Sequence, residues 1–180
     1  LGDDIEYREQ APWYEREARR CALAISGAQL HLNLHGYPAH EWIRPCTGYL
    51  PRGFEAWSIP KGFFLIVRFK PGYKQMALSL LEHLTCQLSA DQRLMGYNTE
   101  QLRRYQHYVA LPPFQVRHGI PYTASEAPGQ GPGITLITEF PDETICGPAF
   151  SFAHTIQMQT VLLASEWWWE NAPKLIIESS

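Results

Sequence analysis

The chain has 180 residues, of which 45% are hydrophobic and 13% aromatic, enough for one domain with a substantial core. A formal charge of -3 with no long basic run speaks against nucleic acid as a partner. No apolar run reaches bilayer length, and the first residues, Leu-Gly-Asp-Asp-Ile-Glu, carry neither region of a secretory signal, so no membrane partner and a cytoplasmic location are expected. Cys21, Cys46, Cys86 and Cys146 have no CxxC spacing, which argues against a zinc ribbon. Cys21 and Cys86 sit in apolar helical patterns and are expected in the core of a protein from a reducing compartment.

In chain order, residues 1–10 are polar and acidic and read as a loop. Pro12 suits the first turn of a helix whose inner face would be Trp13, Ala18, Cys21, Ala22 and Ile25, with Gly27 as its C-terminal cap. A strand over 28–35 follows, and a helix entering a strand through a Gly turn is an α/β habit. In it Leu30, Leu32 and Leu34 alternate with His31, Asn33 and His35, so the two sets face opposite sides. Gly36 and Pro38 should stop the strand and leave His35 at its carboxyl end, where open α/β sheets place ligands. Residues 36–62 read as a long Gly, Pro and aromatic loop.

Phe63 to Phe69 reads as a buried strand, broken by Pro71-Gly72. Tyr73, Met76, Ala77, Leu80, Leu81, Leu84 and Leu88 mark an amphipathic helix. Thr99-Glu100-Gln101 opens a short helix with Leu102, Tyr105 and Val109 inward, ended by Pro112-Pro113. The Gly and Pro content of 119–133, around Tyr122, predicts a mobile loop. Ile134 to Phe140 reads as a strand with Glu139 near its end. A last helix over 150–170 would bury Phe152, Ile156, Leu162 and Leu163, and no single helix face can bury all of Trp167, Trp168 and Trp169.

If both strands share one sheet, His35 and Glu139 reach the same edge. An imidazole and a carboxylate are the minimum for metal-assisted hydrolysis, one holding the metal, the other taking a proton from water. His31 and His35 lie about 13 Å apart at strand rise, too far for one ion with bonds near 2 Å. His40-Glu41 lacks the second His of a His-Glu-x-x-His helix. His83, His107, His118 and His154 have no partner that the sequence names, and Glu126 reads as a solvated loop charge.

The segment Leu32-Asn-Leu-His35-Gly-Tyr37, before an aromatic Gly/Pro loop ending Thr47-Gly48-Tyr49, resembles the third zinc-ligand segment of the zinc metallocarboxypeptidases. Tyr122-Thr-Ala-Ser resembles the family's substrate-closing lid, and Ile134-Thr-Leu-Ile-Thr-Glu139-Phe the strand bearing its catalytic Glu. The resemblance implies that 1–180 is the C-terminal part of a single catalytic domain, a three-layer α/β/α fold with a mixed β-sheet. It further implies a Zn2+ cofactor and a peptide or small amide substrate. His35 would be a zinc ligand, Glu139 the base, and Tyr122 the lid that closes on substrate; Tyr37 would line the cleft or cover the core. The family's other two ligands come from an upstream His-x-x-Glu, and no His here has Glu three residues later. A missing N-terminal half of the domain is therefore the expected partner. Two rivals remain: a non-catalytic carboxypeptidase-like peptide-binding module, and an assembly domain that uses its tryptophans as an interface.

Overall fold

The computed structural model describes residues 14–37, 62–108, 112, 114–127, 131–141 and 147–178. The elements in order are α1 (Tyr14–Ser26), β1 (Leu30–Tyr37), β2 (Phe64–Phe69), α2 (Lys74–Leu88), α3 (Gln92–Tyr108), β3 (Gln115–Arg117), β4 (Ile120–Glu126), β5 (Ile134–Pro141) and α4 (Pro148–Glu178). The strands form one mixed sheet in the order β1-β5-β2-β4-β3. β1 runs parallel to β5 and β2 to β4, while β2 with β5 and β3 with β4 are antiparallel. The α/β class expected from the sequence is therefore present. No helix among the described residues is long and apolar enough to cross a membrane.

Alternation along the strands decides which side chains meet the helices. Leu65, Val67 and Phe69 of β2 and Ile134, Leu136 and Phe140 of β5 join the main core with Leu80, Leu81 and Leu84 of α2 and Ile156 and Ala164 of α4. On the opposite face Phe64 gathers a smaller cluster with Tyr105 and Phe114, against which Ile66 and Leu102 pack. α3 contributes to both clusters, Leu94 to the first and Tyr105 to the second. Asn98, buried within it, receives the Phe63 amide at 2.9 Å and donates to the Phe63 carbonyl at 3.1 Å, which fixes the start of β2. Gly133, before β5, leaves room for the Tyr73 ring: a Cβ there would stand 2.3 Å from it.

Six expectations are corrected. β1 does not stop at His35 but continues through Gly36 and Tyr37, because β5 extends to pair with both. α1 forms, yet Ala18, Cys21, Ala22 and Ile25 are all exposed, and the helix makes no substantial contact with another element among the described residues. Cys86 is exposed too, so neither Cys21 nor Cys86 is a core residue. α3 begins at Gln92, because the Asp91 carboxylate accepts the Leu94 amide at 2.9 Å and caps the helix well before Thr99.

The stretch 119–133, expected as a loop, contains the strand β4 over Ile120–Glu126. His118 (φ 49°) and Gly119 (φ 79°) both take positive φ in the two-residue turn that joins β3 to β4. Such a turn matches the twist of a hairpin. In α4, Leu162 is exposed rather than buried, while Trp167 faces the core, Trp168 is partly covered and Trp169 is 84% exposed. The run of three tryptophans is thus split around the helix, as its spacing demands.

Candidate functional site

β1 and β5 pair with Leu34 opposite Thr138 and His35 opposite Glu139. Residues opposite one another in a ladder project to the same face, and here their side chains meet. His35 Nδ1 lies 2.9 Å from Glu139 Oε2. The imidazole side chain is 57% exposed, whereas the Glu139 side chain is 7% exposed. A neutral imidazole protonated at Nδ1 donates that proton to the carboxylate and leaves Nε2 as a lone pair. Because β1 and β5 are adjacent, the two groups singled out by strand-end position are in direct contact.

The carboxylate is held from several sides. Phe140, the next residue, lies on the opposite face and stacks on Tyr97 with ring centroids 5.6 Å apart; it meets Phe152 edge-on at 5.4 Å and Phe63 at 5.9 Å. Such aromatic pairs are worth about 0.5–1.5 kcal/mol each beyond the area they bury. They anchor the β5 backbone at the residue after Glu139. On the Glu139 face, Phe64 of β2 pairs directly opposite and is fully buried. Buried Ile137 precedes Glu139 by two residues on that same side. A carboxylate in such surroundings is costly unless partnered, and His35 is a partner at hydrogen-bond distance.

Tyr122 lies elsewhere. It sits in β4, opposite Leu65 of β2, so β2 separates it from β5. Its ring is buried in the main core and its hydroxyl donates to Gln115 Oε1. A residue locked in a central ladder and packed in a core cannot swing over a substrate, so the lid assigned to Tyr122 is withdrawn. Pro121 lies within β4 but before its pairing with β2, which begins at Tyr122, and Gly119 sits in the turn that precedes the strand. Tyr37 continues β1 opposite Pro141. Its side chain, like Trp13, His40, Cys46, Thr47, Tyr49, Val109 and Cys146, lies outside the described residues.

The sequence reading missed Gln157. This buried residue of α4 donates its side-chain amide to the His35 carbonyl at 3.0 Å and to the Thr138 hydroxyl at 3.2 Å. The signal available was a long polar side chain at an inward position of α4, one step after Ile156.

Zinc was expected here, and the donor set decides how far it fits. Among the described residues no group of three or more His, Cys, Asp or Glu could hold a metal. A catalytic zinc takes three protein ligands. His35 offers one accessible imidazole, so the described residues alone do not make a zinc site. Compared with protein-family models, with curated proteins and with solved structures, the chain finds no match.

Proposed function

We propose that this chain carries one imidazole and the general base of a hydrolytic site that cleaves a C-terminal peptide bond or a related amide. The observation that carries the reading is the in-register contact of His35 with Glu139, an accessible imidazole against a buried carboxylate. In this reading Glu139 takes a proton from the attacking water and returns it to the leaving amine. Burial suits that task, because bulk water does not compete for a carboxylate that is 7% exposed. The sheet holds its position, so little reorganisation is needed during the reaction.

His35 presents the exposed ring to the incoming group. Zinc enters this reading as a cofactor bound by His35 with ligands from outside the described residues, and the proton transfers assigned to Glu139 do not depend on its geometry. The three-layer, carboxypeptidase-like architecture and its missing N-terminal half belong to the same proposal. It is supported by the mixed sheet and by the chain order of His35, Glu139 and the final helix.

The test compares His35→Ala with Glu139→Gln in the catalytically competent protein. His35→Ala is expected to lose metal and turnover together. Glu139→Gln is expected to keep both metal and peptide binding while turnover falls by roughly 10²–10⁴-fold, the contribution of a general base. Loss of zinc in Glu139→Gln would make Glu139 a ligand and overturn the assignment.

A further inference from the structure

Gln157 stands in a place where physical chemistry favours leucine. It lies on the inner face of α4 with buried Ile156 and Thr160, and packs towards the apolar side of β5. Burying an amide there is unfavourable unless its polar atoms find partners. Its nitrogen has two hydrogens, and the two acceptors given above take them: the His35 carbonyl on β1 and the Thr138 hydroxyl on β5.

Those acceptors are not scattered. Leu34 pairs with Thr138 and His35 with Glu139, so the amide joins the two strands at the level of the His35–Glu139 contact. It does so from the far face. Thr138 points towards α4, whereas Glu139, the next residue on an alternating strand, points away. Gln157 therefore touches neither the imidazole nor the carboxylate. It acts on the backbone of one and on the neighbour of the other.

We propose that Gln157 is a positioning residue for the His35–Glu139 pair: its amide clamps β1 to β5 where the two side chains meet, and so holds Nδ1 of His35 within hydrogen-bond distance of Glu139. The proposal rests on the reading of His35 and Glu139 as a working pair. It goes beyond that reading by placing control of the site on a helix with no atom in it. A side-chain clamp at this level matters because only Gly36 and Tyr37 follow His35 in β1, near the point where ladders fray.

The test needs no substrate. In the 180-residue chain with nitrogen-15 histidine, His35 should give a resolved Nδ1 proton in slow exchange with water. Gln157→Leu keeps volume and burial but removes both hydrogen bonds. It is expected to speed exchange of that proton by roughly tenfold, the worth of about one net hydrogen bond. Thr138→Val, which replaces one acceptor by a methyl of the same shape, should speed it by roughly threefold. If Gln157→Leu does not fold, Thr138→Val decides by the same criterion.

An unchanged His35 signal in the folded variants overturns the proposal, as does a wild-type chain with no protected Nδ1 proton. A merely structural role would lower stability without altering that proton. Turnover separates the two readings: if exchange changes as expected while the competent protein hydrolyses no C-terminal amide, the clamp stands and the hydrolytic reading falls.

Discussion

Two histidine–glutamate contacts of nearly equal length stand towards opposite edges of this sheet. At one, His35 meets Glu139 across β1 and β5 at 2.9 Å. At the other, His118 of the β3–β4 turn meets Glu82 of α2 at 2.8 Å, and Arg117 donates to the same carboxylate. Distance does not distinguish them, but surroundings do. The Glu82 side chain is 50% exposed, against 7% for Glu139. Water and a guanidinium share the charge of Glu82, so its contact ties a hairpin to a helix and adds little else. Burial instead shields Glu139 from bulk water and leaves it against the His35 ring.

The comparison can be broken most forcefully at Tyr122, which lies on the hairpin side and was expected to serve the site. Tyr122→Ala should lower stability by about 3–5 kcal/mol, as large-to-small changes of buried aromatics do. Tyr122→Phe should cost about 1 kcal/mol through loss of its bond to Gln115. Urea titration of both variants checks this, and turnover of the competent protein should change little in Tyr122→Phe. A large loss of turnover without loss of stability would return Tyr122 to the site.

A second effect concerns metal. Calorimetric titration of the 180-residue chain with zinc should show no tight one-to-one site, because His35 supplies one ligand where three are needed. A tight stoichiometric site would mean that the chain completes the centre by itself.

The smallest effect is electrostatic. The hydrogen bond from His118, and then the charge of Arg117, hold the Glu82 carboxyl below its ordinary value of 4.5. A group depressed in the folded state stabilises above its unfolded value. That contribution disappears as pH falls through the lowered folded value. Protection of the β3 and β4 amides should therefore begin to fall as pH drops below 4.5, and should fall also in roughly 1 M salt, where the screening length is about 3 Å. The β1–β5 ladder beside the buried Glu139 should be insensitive to that salt.

The parts of the fold legible in the sequence were those written in local periodicity. Alternation in Leu30–His35 and the apolar run Ile134–Phe140 located both strands of the site, and their ends located His35 and Glu139. Adjacency of the two strands was not legible, because β2, α2, α3, β3 and β4 intervene in the chain. The hairpin was missed because its turn uses His118 at positive φ, a residue with no strong turn signature, and β3 has only three residues. Thr99 mimicked a helix start inside α3, while the working cap, Asp91, stands eight residues earlier. The apolar stripe of α1 showed a face but not what meets it. Gln157 was invisible because its meaning depends on two strands distant in sequence.

The measurement that tests the central claim most directly applies one substitution to both contacts. Turnover of a peptide with a cleavable C-terminal residue would be measured for Glu139→Gln and for Glu82→Gln in the competent protein. Removal of the buried carboxylate is expected to reduce turnover by roughly 10²–10⁴-fold. Removal of the exposed one is expected to leave turnover unchanged. Equal effects at the two positions, or full activity in Glu139→Gln, would contradict the assignment of Glu139 as the base.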